Sequence, residues 1–216
     1  MAGSTSTISS PRNAAPFRSS TKLIFWIILG LTALSIIPFT EIPILIDKTG
    51  LNVAYRSKLF HDRFLLLPHA LGGLTALIIG PLQFSSRIRQ KHLKFHRVLG
   101  RVYVFSVLIA ATFALVLTQG NGLETGTYVQ SGLWIVCTLA AFLTARNRQI
   151  TKHRQWMIRS YAVTFTFVTL RFLNFVPAYF NMSPPHFMLT IIIVSFASVF
   201  LADIAFSWRE LTTSRA

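Results

Sequence analysis

The chain has 216 residues, of which 52% are hydrophobic and 12% charged, with a formal net charge of +15. So little polar surface cannot coat a soluble globule, which excludes an ordinary water-soluble domain and leaves an integral membrane protein. The positive excess would suggest nucleic acid in a soluble protein, but most of it lies beside apolar runs, where basic residues hold a topology and meet anionic lipid head groups, so nucleic acid is not an expected partner.

Residues 1–21, rich in Ser, Thr, Pro and Ala and without periodicity, predict a disordered tail. The first apolar run is long and late, with no small-residue cleavage pattern after it, so it does not predict a cleaved signal peptide. An apolar run of about 18 or more residues can cross the roughly 30 Å hydrocarbon layer as a helix. Runs of this kind predict spans near 22–45, 64–84, 98–119, 128–145, 157–179 and 187–208. The apolar/polar alternation of a membrane barrel strand is absent. The expected fold class is all-α, one polytopic bundle over 22–210 with six spans, followed by a short tail at 211–216.

Lysine and arginine in short loops stay cytoplasmic. Arg12, Arg18 and Lys22 precede the first span. Arg87, Arg89, Lys91, Lys94 and Arg97 lie between the second and third, and Arg146, Arg148, Lys152 and Arg154 between the fourth and fifth; Arg209 and Arg215 follow the last. All fall on one side, which predicts both termini in the cytoplasm and a multi-pass protein of the cell membrane, a bacterial inner membrane. The stretch with Lys48, Arg56, Lys58 and Arg63 breaks the pattern, although a long, partly structured loop can translocate despite such charge.

In the second span Gly72, Ala76 and Gly80 recur every four residues, a stripe that lets another helix approach closely. Pro81 helps to end that helix. The stripe reads as packing; its functional variant leaves room for a flat cofactor beside His69. Cys137 is alone, inside the fourth span, and forms no internal disulfide.

At about 1.5 Å rise per residue the polar residues of the spans fall into two layers. The inner layer holds His96, Arg97 and Arg101 on the third span, His153, Arg154 and Arg159 on the fifth, and Asp203 on the sixth. The outer layer holds His69, Arg171 and Asn174, with Glu41 at the end of the first span. Arg171 lies well inside an apolar run and needs a carboxylate, a carbonyl or a water-filled cavity; Glu41 is the expected acidic partner.

From His96 one helical face continues through Gly100 and Tyr103, and from His153 through Met157, Ser160 and Tyr161. Two histidines on different helices at one depth, beside a small residue, suit axial ligation of a b-type haem: neutral imidazoles on the iron, and arginines paired with the propionates. The candidate cofactor site is therefore His96 and His153 as haem-iron ligands, with Arg97, Arg101, Arg159, Gly100, Tyr103, Met157 and Tyr161 around them. A second, outer site at His69 would need His61 or His186. Two other readings stay open for the inner pair. The histidines are interfacial residues among snorkelling arginines, or they belong to an anion or head-group site built from Arg97, Arg101, Arg154 and Arg159. No histidine or cysteine pair has zinc-motif spacing.

Three strings, His69-Ala-Leu-Gly-Gly with Ile79-Gly-Pro-Leu-Gln-Phe84, Phe95-His-Arg-Val-Leu-Gly-Arg-Val-Tyr103, and His153-Arg-Gln-Trp-Met-Ile-Arg-Ser-Tyr161 ending at Arg171, resemble the predicted membrane proteins of the domain of unknown function 2306 family. The resemblance covers about residues 60–180. It implies a multi-spanning, mostly bacterial membrane protein without an assigned activity, and motif positions at His69, Gly80, Pro81, Gln83, His96, Arg97, Gly100, Arg101, Tyr103, His153, Trp156, Met157, Arg159 and Arg171. A looser similarity is to b561-type cytochrome cores, where histidines on alternate helices hold haems at both membrane faces. The inner pair fits that pattern, whereas the fourth span carries no histidine.

The chain has no Gly-rich phosphate loop, no nucleophile elbow and no His-Glu-xx-His motif. The reading that these residues favour is haem-linked electron transfer between a donor or quinol and an acceptor, with a redox partner or quinone. The alternatives are a non-catalytic protein that binds anionic head groups or a partner, and a proton-coupled or small-solute transporter. No internal duplication or broken pair of spans supports the last.

Overall fold

The computed structural model describes residues 30–31, 61–120, 122–173, 176–180 and 182–212. Every regular element among them is helical. The elements are α1 (Arg63–Gln83), α2 (Ser86–Lys91), α3 (Leu93–Leu117), α4 (Glu124–Arg146), α5 (Ile150–Leu173), α6 (Pro177–Phe180) and α7 (Pro184–Thr212). Of the expected first span only Gly30 and Leu31 are described, both helical. The tail at 1–21, Glu41 and Asn174 lie outside the described residues.

Four of these helices, α1, α3, α4 and α7 as far as Trp208, are long and apolar enough to cross a membrane. This is fewer than the six spans expected, and α5 accounts for part of the difference. It is helical over 24 residues, but it carries His153, Arg154, Arg159 and Arg171 and buries Ser160, Thr164 and Thr166 against its neighbours. A helix enclosed by other helices can be polar where those helices supply partners. Outward-facing positions are apolar instead: Phe64, Phe105, Ile193, Phe196, Phe200 and Leu201 all expose more than half of their surface. Large apolar surface of that kind suits lipid, not water.

The helices begin earlier than the apolar runs. α3 starts at Leu93 and α5 at Ile150, so His96 and His153 stand in the first turns of helices and not in loops. The apolar run marks the stretch suited to lipid, whereas the hydrogen-bonded helix continues into the polar residues before it. The stretch between α1 and α3, a plain basic loop by its sequence, holds α2. Ser85 caps it, accepting from the Ile88 N–H at 3.4 Å.

α1 lies along α3, α3 against α4, α4 along α5, and α7 covers α4 and α5, with α1 also touching α5. The expected small-residue stripe is the α1 contact surface. A Cβ on Gly72 would come within 2.8 Å of the Ser106 carbonyl oxygen on α3, and one on Gly80 within 2.2 Å of the Tyr161 ring on α5. Neither notch is empty, so at Gly72 and Gly80 the stripe holds protein and not a flat cofactor. Pro81 does not stop α1 at once; the helix runs two residues further, to Gln83.

Short turns make the neighbours antiparallel. Gly120 and Gly122, both at positive φ, close the α3–α4 turn, and Arg148 adopts φ 58° between α4 and α5. The α4–α5 turn is only three residues long, and it sets α4 residues opposite α5 residues in a fixed order.

Candidate functional site

That order produces a polar seam along the α4–α5 interface. The His153 Nδ1–H donates to the Ala141 carbonyl at 2.8 Å. Next come Thr138 with Ser160 at 2.7 Å, the Trp134 indole N–H donating to Thr164 Oγ1 at 2.9 Å, and the Gln130 amide donating to Thr166 Oγ1 at 2.6 Å. Tyr103 reaches in from α3 and meets both Ser160 Oγ, at 2.8 Å, and Thr164 Oγ1, at 2.9 Å. All of these side chains except His153 are buried.

The hydroxyl protons of the seam have two consistent arrangements. In one, Thr164 donates to Tyr103, Tyr103 to Ser160, Ser160 to Thr138, and Thr138 to the Trp134 carbonyl at 2.7 Å. In the other, the three hydroxyl–hydroxyl bonds reverse, so that Thr138 turns its proton from the Trp134 carbonyl to Ser160, and Thr164 donates to the Ser160 carbonyl at 3.0 Å. Each buried hydroxyl is satisfied either way.

The Tyr103–Ser160 bond fixes the register of two parallel helices, α3 and α5. His96 lies seven residues before Tyr103 and His153 seven before Ser160, two turns back on each helix. The expected pair therefore shares one level. A carbonyl only accepts, so the bond to Ala141 fixes the proton of a neutral His153 on Nδ1 and leaves Nε2 as the basic nitrogen. His96 Nδ1 is buried and has no hydrogen-bond partner.

The other expected site residues divide. Met157, one turn after His153, is buried. Arg159 is committed to Asp203, at 2.7 Å, with its guanidinium over the Trp156 ring at 4.6 Å from the centroid. Asp203 and Arg159, both assigned to the inner layer from sequence, meet as a pair that sequence did not propose. Arg97, Arg101 and Arg154 are exposed. Tyr103 and Tyr161 lie about two turns from the histidines and serve the packing. The Tyr161 ring fills the Gly80 notch, stands edge-on to Phe84 at 5.7 Å, and donates its hydroxyl to the Leu77 carbonyl at 3.3 Å. The room expected beside Gly100 is taken by Gln83, whose Oε1 would stand 3.4 Å from a Cβ there.

At the other end, the His69 Nδ1–H donates to the Ala110 carbonyl at 2.8 Å, and its ring meets Phe167 edge-on at 5.9 Å. Phe167 is one turn before Arg171. His61 and His186 are exposed, and His186 Nδ1 is 2.6 Å from Ser183 Oγ. Among the described residues no group of three or more His, Cys, Asp or Glu could hold a metal ion.

With the fold and the histidine pair in place, the chain can be set beside known proteins. The family of predicted membrane proteins termed DUF2306 matches residues 66–208. The chain belongs to the DUF2306 family. The match begins just inside α1 and extends well past residue 180 to take in most of α7, which the sequence strings had left outside. Every buried member of the polar seam lies within it. No curated protein and no solved structure matches the chain, so the looser similarity to b561-type cytochromes gains no support.

Sequence reasoning missed Gln130, Trp134, Thr138, Thr164 and Thr166. The signal was present: Gln130, Trp134 and Thr138 recur every four residues on the fourth span, and Ser160 and Thr164 do so on the fifth. Polar side chains repeating along one face of a membrane helix mark a helix–helix contact.

Proposed function

We propose that this DUF2306 protein is a multi-pass electron-transfer protein of the cell membrane, with a b-type haem held between His96 and His153. The observation that carries the reading is the pair itself: two imidazoles on parallel helices at one level, one anchored through Nδ1 so that Nε2 is basic. Anchoring of the second ring nitrogen on a backbone carbonyl is the arrangement that orients a histidine ligand. Haem iron, when bound there, would supply one-electron chemistry. The residues of the chain do the rest. Ala141 fixes the His153 tautomer, and exposed Arg97 and Arg101 are available to carboxylates at the helix ends. In this reading the chain has six spans, with both termini and the histidine pair on the cytoplasmic side of an inner membrane.

The test is a reduced-minus-oxidised visible spectrum of the purified protein. Soret and α bands that disappear in both His96→Ala and His153→Ala support the reading, and their absence from the wild type sinks it. A second reading is favoured by the exposure of Arg97, Arg101 and Arg154, which suits a basic rim that binds anionic head groups with no redox role.

A further inference from the structure

α1 and α3 run antiparallel, since His69 near the start of α1 meets Ala110 late in α3, and Gln83 at the end of α1 meets Gly100. The elbow between them, from Phe84 to Phe95, holds α2 and carries Arg87, Arg89, Lys91 and Lys94. Arg89 is half-buried and the other three are exposed. No acidic residue occurs in the sequence from Arg63 to Leu123, and none of the four cations is in an ion pair among the described residues. α2 buries none of its six residues. A helix so short does not stand alone in water, where about 12–15 residues are needed. Three large apolar side chains of the elbow also turn away from the bundle: Phe84, Leu93 and Phe95 are 41%, 46% and 52% exposed. Cations interleaved with exposed aromatic and aliphatic groups, next to the end of a span, suit the head-group boundary of a bilayer and not open water. The α4–α5 turn at the same end of the bundle differs. It is also basic, but between Arg146 and Arg154 it exposes one large apolar residue, Ile150.

We propose that the α1–α3 elbow is a docking surface for anionic phospholipid. Arg87, Arg89, Lys91 and Lys94 hold the phosphates of neighbouring head groups, and Phe84, Leu93 and Phe95 enter the acyl boundary beneath them. Both halves of the surface are needed: the cations select negative head groups, and the apolar side chains keep the elbow at the depth where those head groups lie. Charge decides the kind of lipid, because the elbow offers four cations and no carboxylate to a phosphate. The α4–α5 turn lacks the aromatic half, so its cations face water. The proposal deepens the head-group reading and rests on it, but assigns the lipid to a segment that precedes Arg97, Arg101 and Arg154; it holds with or without haem.

The experiment uses the full-length protein in detergent, with phosphatidylglycerol and phosphatidylcholine of identical acyl chains as probes, and counts retained lipid by native mass spectrometry. Wild type is expected to hold phosphatidylglycerol at least tenfold more tightly than phosphatidylcholine. Replacing Arg87, Arg89, Lys91 and Lys94 together by Gln should abolish that preference while leaving phosphatidylcholine binding unchanged. The double variants Arg87→Gln/Arg89→Gln and Lys91→Gln/Lys94→Gln should each lose part of it, which covers a quadruple variant that fails to fold. Arg146→Gln/Arg148→Gln/Lys152→Gln should retain the preference, and Leu93→Ser/Phe95→Ser, with every cation in place, should weaken the binding of both lipids. No preference in the wild type, its survival in the elbow variants, or an equal loss in the turn variant overturns the proposal. So does equally tight binding of water-soluble glycerophosphoglycerol or of a polyglutamate peptide, which would assign the surface to a free phosphate or an acidic polypeptide. Loss of the preference in Arg97→Gln/Arg101→Gln/Arg154→Gln but not in the elbow variants would remove this proposal and keep the head-group reading at its original residues.

Discussion

The ring of Tyr161 on α5 occupies the notch that Gly80 leaves on α1, where a Cβ would stand 2.2 Å from the ring carbon Cδ2. Gly73, seven residues earlier on the same helix, has nothing within 4 Å of the corresponding position. The two glycines therefore separate close packing from mere absence of a side chain.

Gly80→Ala is expected to destabilise the protein by about 1–3 kcal/mol, the usual cost of overpacking. Gly73→Ala should be neutral or raise the melting temperature, since alanine is the better helix former by about 1 kcal/mol. Thermal unfolding in detergent compares them, and equal behaviour of the two variants would contradict the Gly80–Tyr161 contact.

Tyr103→Phe keeps the ring and removes the hydroxyl that joins Ser160 and Thr164. A loss of about 1–3 kcal/mol is expected for buried groups left unpaired, towards the lower end if partners are found within the membrane. Ser160→Ala in the Tyr103→Phe background should cost less than in the wild type, and strict additivity of the two would show that they do not share a bond.

Arg159 and Asp203 form an ion pair of 2.7 Å whose side chains are 23% and 44% exposed. At that exposure the pair contributes about 0.5–1 kcal/mol. Either Arg159→Gln or Asp203→Asn should lower the melting temperature by a few degrees, and the double variant should recover part of the loss. A double variant that melts as low as the sum of the singles argues against a coupled pair.

Arg97, Arg101 and Arg154 are exposed, so replacing all three by Gln should leave the melting temperature in zwitterionic lipid unchanged. If the basic rim binds head groups, stabilisation by added phosphatidylglycerol falls in the triple variant and weakens with salt in the wild type. Unchanged anionic-lipid stabilisation would remove that reading.

Four of the helices, α1, α3, α4 and α7, are legible in the sequence as apolar runs, because length and hydropathy mark such segments directly; α5, expected as a span near 157–179, is a helix without the hydropathy of the other four. The helix ends are not legible, since His96 and His153 lie in polar residues that a helix includes and a hydropathy scan does not. The shared level of the two histidines follows from charge placement and the rise per residue. The polar seam escapes such a scan because threonine, serine and tryptophan inside an apolar run hardly alter its hydropathy; only their four-residue recurrence gives them away. The depth of Asp203 follows from its place in the last span, but its partner depends on which face of α5 turns towards α7, and no one-dimensional pattern carries that angle.

The heptad offset between the histidines and the Tyr103–Ser160 bond makes that bond a phase reference for the pair. A single alanine inserted between Arg97 and Arg101 would turn His96 by about 100° and shift it by about 1.5 Å relative to Tyr103, while leaving every side chain of the pair chemically intact. An insertion of about seven residues would restore the angle and displace the imidazole by about 10 Å along the axis. Facing and depth can thus be varied separately in this protein by changing chain length alone.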